Sequence, residues 1–209
     1  MTKHLTQIDL GSASLADALQ RMWDALRQGA DSSKHRYHTP VVATVDRDDL
    51  PAARVIVLRG VDPENRSLVF HSDARAPKID HLRRRPHAAW SFWDPDDKVQ
   101  LRVAGPCTLH FDDDLADRQW NAATAASRRC YLAPEPPSNE ADAPTPNLPE
   151  DVRGVVPTED RVAAGRPNFA VVQTHIRRVD WLYLHHAGHR RARFTWTAAG
   201  EQHATWLEP

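Results

Sequence analysis

From residue 40 to residue 111 the chain alternates short apolar runs with turn-forming residues. The runs are "PVVATV", "AARVIVLRG", "RSLVFHS", "HAAWSFWD" and "KVQLRVAGPCTLHF". They are β-branched or aromatic, and "DRDDLP" and "VDPENR" between them carry turn chemistry, so each run reads as a strand. The pattern resumes with "NFAVVQTHI", "VDWLYLHH", "RARFTW" and "ATWLEP". Strands this closely spaced predict an antiparallel barrel or sandwich rather than alternating βα units.

Three stretches break the rhythm. In "SLADALQRMWDALRQG", Leu15, Ala18, Leu19, Met22, Trp23 and Leu26 recur at helical spacing, with Ser14 and Asp17 as a start and Gly29 as a stop. "APKIDHLRR" places Pro77 in a first helical turn, and "DDLADRQWNAATAASRR" opens acidic and ends basic, as a helix dipole favours. Residues 134–167, rich in Pro, Asp, Glu and Ala, offer little to bury and read as a long mobile insert. The expected organisation is one domain over residues 1–209. It has an N-terminal helical segment (1–38), the insert (134–167) and closing strands (168–209).

Composition narrows the function. Twenty-seven Lys and Arg balance 28 Asp and Glu, so a general polyanion binder is not indicated and nucleic acid is not an expected partner. No apolar run is long enough to span a bilayer, and "MTKHLTQIDLGSAS" lacks the apolar run of a signal peptide. Cys107 and Cys130 form no spacing motif, which fits a reduced, cytoplasmic chain. Eight glycines form no dinucleotide fingerprint.

Candidate chemistry sits at the strand ends. Arg54 and Arg59 of "RVIVLRG" are five apart and face opposite sides of a regular strand. They are either solvated strand ends or, given a break in the strand, partners on one ligand. In "FHSDARAPK", His71 and Ser72 end a strand and Lys78 falls in the first turn of a helix. A small hydroxyl, a lysine and free helix amides together suit a phosphate. Arg83, Arg84 and Arg85 read as the solvated end of that helix. Gln100, polar within the apolar "KVQLRVAG", either reads a heterocycle edge or faces water. His185, His186 and His189 invite a metal, but the segment reads as strand and turn, and no metal site is expected.

The order "RVIVLRG", "FHSDARAPK", "HLRRRPHAAWSFWD", "VQLRVAG" resembles the FMN-binding core of the pyridoxamine 5'-phosphate oxidase-like superfamily. "VDWLYLHHAGHRRARFTW…WLEP" resembles its closing segment. The insert and closing segment look closest to an uncharacterised FMN-binding branch rather than to the vitamin B6 enzyme. The resemblance implies a mainly β (α+β) antiparallel split β-barrel. It also implies a homodimer with FMN at the subunit interface and a small-molecule substrate. By this resemblance Arg54 meets the flavin phosphate, Val55, Ile56 and Val57 run along the ring, and Arg59 lies at the flavin and substrate site. His71 and Ser72 sit beside the flavin, Lys78 holds phosphate, and Gln100 bonds the ring. Trp181 and either Arg191 or Arg193 are flavin contacts from the closing segment. Ser127 and Arg128 are the partner subunit's phosphate contacts.

The departures concern the phosphate run and the substrate. Ala76 and Pro77 stand where the family's phosphate run has a serine and an arginine, which leaves Arg54, Ser72 and Lys78, with Arg75 a further candidate. The family's Tyr–Arg–Ser substrate set is replaced by the acidic "FDDDLADRQW", where Asp113, Asp114 and Asp117 would repel a phosphate. The expectation is an FMN-dependent oxidoreductase with a substrate other than pyridoxamine 5'-phosphate. A flavin carrier or sensor, and the B6 oxidase itself, are the alternatives.

Overall fold

The computed structural model describes residues 14–209; the expectations for residues 1–13, including the reading of a possible leader, lie outside that range. Helix α1 (Leu15–Asp31) begins at a reciprocal capping box. The Asp17 amide donates to Ser14 Oγ, and the Ser14 amide donates back to the Asp17 carboxylate. Ala18, Met22, Trp23 and Leu26 are buried on one side. Gly29 does not stop the helix, which runs on to Asp31. A Cβ at Gly29 would come within 2.7 Å of Tyr37 Cβ. Glycine is needed there for close approach, not for a turn.

The strands are β1 (Val41–Val45), β2 (Pro51–Val55), β3 (Gly60–Asp62), β4 (Ser67–Asp73), β5 (His87–Asp94), β6 (Val99–His110), β7 (Phe169–His175), β8 (Arg178–Tyr183), β9 (Arg190–Trp196) and β10 (Gln202–Leu207). Their pairings are all antiparallel, in the order β10-β9-β8-β6-β5-β1-β2, with β7, β4 and β3 branching from β6. Strand β6 is the branch point: residues 99–104 pair with β8, and residues 107–110 with β7. Gly105 lies between the two registers, where a Cβ would fall 1.8 Å from the His175 carbonyl oxygen.

The two arms of this sheet wrap one core. Trp90, Phe92, Phe70, Phe194, Leu68 and Leu101 fill it, and α1 closes one end with Met22 and Leu26. Burying such large apolar side chains stabilises the fold by about 1.5–3 kcal/mol each. One expected strand is cut short: "AARVIVLRG" leaves regular pairing after Val55. The amides of Ile56, Leu58 and Arg59 instead reach the carbonyls of Pro40, His38 and Val69, carrying the chain from one arm to the other.

Helix α2 (Pro77–Arg84) has Pro77 in its first turn, as expected. The run expected as one helix after residue 112 is two, α3 (Asp114–Ala122) and α4 (Ala125–Arg128). Thr124 divides them because its side chain accepts from the Ser127 amide and starts a new helix. The insert finds more to bury than its composition suggested. It forms a 3-10 turn (Glu150–Val152) and helix α5 (Glu159–Ala163), and Val152 and Val162 bury themselves against Leu132. No described helix is long and apolar enough to cross a membrane.

Candidate functional site

Where the chain crosses between the arms, four backbone segments converge: the end of β2 with residues 56–59, the end of β4, the start of α2, and residues 127–137. They line a cavity of about 350 Å³ that brings together Arg54, Val55, Ile56, Val57, Arg59, His71, Ser72, Lys78 and Ser127. The break after Val55 is what lets Arg54 and Arg59 serve one cavity despite their odd spacing.

Charge is concentrated at one end. Lys78 Nζ donates to Ser72 Oγ at 3.1 Å, and Ser72 Oγ donates to the Asp73 carbonyl at 3.0 Å. Arg54 donates to Thr44 Oγ1 at 2.8 Å and to the Val42 carbonyl at 3.3 Å. Among the described residues neither cation forms an ion pair, although the fold carries many elsewhere. Burial, then the neighbouring Arg54 guanidinium, hold the Lys78 ammonium below its ordinary range, and burial does the same to Arg54. Two half-buried cations that repel each other are unfavourable in isolation and become favourable around a doubly charged anion.

The His71 end is aromatic, with the Arg59 guanidinium near its ring. Burial pushes His71 down to about 4, so the ring is uncharged near neutral pH. Its Nε2 lies 2.9 Å from Gln119 Oε1, so the N–H is on Nε2 and Nδ1 is left as the acceptor. Phe169 packs edge-on against the same ring. Tyr131 and Cys130 also line the cavity. The sequence reading missed both, and it missed Gln119, since a residue that orients another carries no signal before the fold is known.

Several candidates fall elsewhere. Arg75 cannot serve a phosphate: it grips the Asp73 carboxylate and donates to the carbonyls of Ala133 and Pro134. It ties the root of the insert to the cavity wall instead. Arg128 is buried over the Trp120 ring and paired with Glu159 at 2.5 Å. Ser127 lies in its own chain's cavity. Gln100, Arg191 and Arg193 do not line the cavity. Registers Gln100↔Leu182, Leu182↔Arg191 and Asp180↔Arg193 set them together on the outer face of the sheet. There Asp180 collects Arg102, Arg191 and Arg193. Burial opposes ionisation of Asp180, and hydrogen bonds from Arg191 and Arg102 more than offset it, so its carboxyl lies below the usual range. Trp181 is on the other side of β8. It is 3% exposed and faces inward, while Leu182 shares the face of Gln100. Asp113 caps α3 and Asp117 pairs with Arg166. With Asp114, they lie outside the cavity lining, so the expected repulsion of a phosphate does not arise there. The three histidines near residue 185 form no metal-binding group among the described residues.

Two half-buried cations at a strand-to-helix junction on a branched antiparallel barrel suit a phosphate-bearing ligand. Residues 20–111 match the family described as pyridoxamine 5'-phosphate oxidase, FMN-binding domain. A pyridoxine/pyridoxamine 5'-phosphate oxidase from Azorhizobium caulinodans is 27% identical over 77% of this chain and 69% of its own length. Another from Chromohalobacter salexigens is 32% identical over 47% of this chain and 43% of its own length. An FMN-binding protein from Nostoc punctiforme, related to pyridoxamine 5'-phosphate oxidase, superposes with a TM-score of 0.69. It is 24% identical, covering 91% of this chain and 96% of that one. PhzG from Burkholderia lata, solved with tetrahydrophenazine-1-carboxylic acid, also gives 0.69, at 16% identity over 97% and 100%. Residues 20–111 therefore carry a pyridoxamine 5'-phosphate oxidase-like FMN-binding domain, for which FMN is the cofactor.

Proposed function

We propose that the protein is an FMN-dependent oxidoreductase that works as a homodimer on a small substrate other than pyridoxamine 5'-phosphate. The observation that carries this reading is the Arg54–Lys78 couple, two unpaired cations beside a buried hydroxyl. They would hold the flavin phosphate, with Ser72 as a further donor once its hydroxyl turns from the Asp73 carbonyl. Val55, Ile56 and Val57 would lie along the ring, and Arg59 and His71 would face its working end. Bound FMN supplies a two-electron acceptor for a hydride from substrate. The chain's part is to position the substrate and exclude water. The neutral His71 offers Nδ1 as a hydrogen-bond acceptor for a substrate N–H or O–H.

The charge count constrains the substrate. Once Arg54 and Lys78 are committed to one phosphate, Arg59 is the remaining Lys or Arg of the cavity lining. A second dianionic group would meet too little charge, whereas a neutral or singly charged substrate would not.

The outer face of the sheet supports the dimer. Val41 pairs in register with Val55, and Trp93 with Gln100, and the exposed Val41, Val55 and Trp93 make that face apolar near the cavity mouth. A second copy seated there would bring Gln100, Arg191 or Arg193 toward the flavin of its neighbour. Two unbridged cysteines support a reduced, cytoplasmic setting.

The test is anaerobic. FMN-loaded protein is mixed with neutral or singly charged reduced small molecules and, separately, with pyridoxamine 5'-phosphate. Substrate-dependent bleaching of the yellow colour, restored by oxygen, is expected in the first set alone. Bleaching by pyridoxamine 5'-phosphate overturns the substrate reading. No bleaching by any reductant in either set would leave a carrier or sensor as the better account.

A further inference from the structure

A second, larger cavity lies on the inner side of β8, between that strand, α1 and the β5–β6 turn. It encloses about 900 Å³ and shares no lining residue with the flavin cradle. We propose that this cavity binds a flat organic cation, with its ring on an aromatic wall and its charge against Asp94 and Asp97.

The wall follows from strand geometry. Trp181, Tyr183 and His185 are two residues apart, so their side chains share one side of the chain. Their rings stack in sequence, Trp181 on Tyr183 at 6.3 Å and 16°, Tyr183 on His185 at 5.7 Å and 19°. All three line the cavity. Electron-rich ring faces attract cations, most strongly where water is partly excluded.

The opposite side is negative. Six aspartates line the cavity against Arg21, Arg27 and Lys98. Four of the six are poor candidates or already engaged: Asp17 caps α1, Asp24 pairs with Arg27, Asp96 pairs with Arg36, and Asp31 lies at the end of α1. Asp94 spends one oxygen on the amides of Asp96 and Asp97. Asp97 forms no ion pair among the described residues. Burial, then the Asp94 and Asp96 carboxylates, hold its carboxyl above the usual range against the opposing pull of His35 and Arg21.

A third group points to a ligand independently. Tyr37 is 2% exposed and lines the cavity, yet its hydroxyl has no hydrogen-bond partner among the described residues. Burial, followed by the Asp94 and Asp97 carboxylates, makes that hydroxyl harder to ionise, which sets it beside those acids. That hydroxyl is not among the described buried polar atoms sealed off without a partner, so it opens onto the cavity, where a ligand can meet it.

The test is calorimetric titration of FMN-loaded protein at neutral pH with N-methylquinolinium and with quinoline, its uncharged near-isostere. The cation is expected to bind with a Kd below about 1 mM, and quinoline at least about tenfold more weakly. Asp97→Asn should weaken the cation by about tenfold, and Tyr37→Phe by a smaller factor. Asp142→Asn, on the exposed insert and outside the lining of both cavities, should leave it unchanged. Equal binding of the two probes, no heat from the cation at about 1 mM, or loss of binding on Asp142→Asn overturns the proposal. The wild-type comparison of charged and uncharged probes decides the matter even if a variant fails to fold.

Discussion

Lys78 Nζ donates to Ser72 Oγ across 3.1 Å, joining the first turn of α2 to the end of β4. Both residues are anchored by regular structure, and the pair faces Arg54 across the cradle. Removing either cation should cost FMN affinity without unfolding the barrel. Arg54→Ala or Lys78→Ala is expected to weaken FMN by about 1.5–3 kcal/mol per lost charge-assisted contact. Flavin fluorescence titration measures this directly. Unchanged affinity in both variants would remove the cradle from consideration.

The depressed pKa of Lys78 makes two pH effects run in opposite directions. The unfolded chain binds this proton more tightly than the folded one. The flavin-free protein should therefore gain stability as pH rises through the depressed folded value toward the ordinary lysine range. FMN affinity should fall over the same window, because phosphate prefers the ammonium. Comparing wild type with Lys78→Met isolates both slopes. Thermal melts of apo-protein and FMN titrations across alkaline pH are the measurements, and parallel slopes in the two chains would contradict the assignment.

Gly105 meets a backbone atom that cannot rotate away, the His175 carbonyl oxygen. Gly105→Ala is expected to destabilise the fold by about 3 kcal/mol, the upper part of the range for overpacking. Urea denaturation gives the value. A loss under about 0.5 kcal/mol, typical of a neutral surface change, would mean that β6 and β7 separate more easily than their pairing indicates.

Trp93 is 45% exposed and lies opposite Gln100 on the outer face. Trp93→Glu should shift the proposed dimer to monomer by burying a charge against apolar surface. Sedimentation velocity reads the outcome. A stable dimer in this variant would move the interface to another face.

Val162 is fully buried against Leu132 and Val152. Val162→Ala should cost about 1.5–2.5 kcal/mol by loss of buried methyl groups and the space they leave. Deleting residues 139–146, which lie outside that cluster, should leave FMN affinity intact. Loss of flavin on that deletion would show that the exposed half of the insert shapes the cradle.

The strands were legible because their alternation of apolar and polar positions matches a two-residue period, and the capping box of α1 was legible from Ser14 and Asp17. The meeting of Ser72 and Lys78 was legible too, since a strand end and a helix start constrain them locally, whereas Arg54 joined them only through the family resemblance. Other features were not. In "VDWLYL" Asp180 is the one polar residue to mark the outer face, and Leu182, which shares that face, is as apolar as the inward Trp181, so the letters mark the alternation only weakly. Arg75 looked free until the fold set the carbonyls of Ala133 and Pro134 beside it. The inner cavity gathers residues from three separated segments, and local pattern carries no trace of that meeting.

Strand β6 belongs to both arms of the sheet, and its side chains keep strict phase along twelve residues. Adding one residue near Gly105 would invert every side chain on one half of the strand relative to the other. Gln100 and its outer neighbours could then keep their places only if Cys107 and Leu109 left the core. The lengths of the loops around β6 are therefore free to drift, while its own length is locked by two partners that read opposite ends of the same ruler.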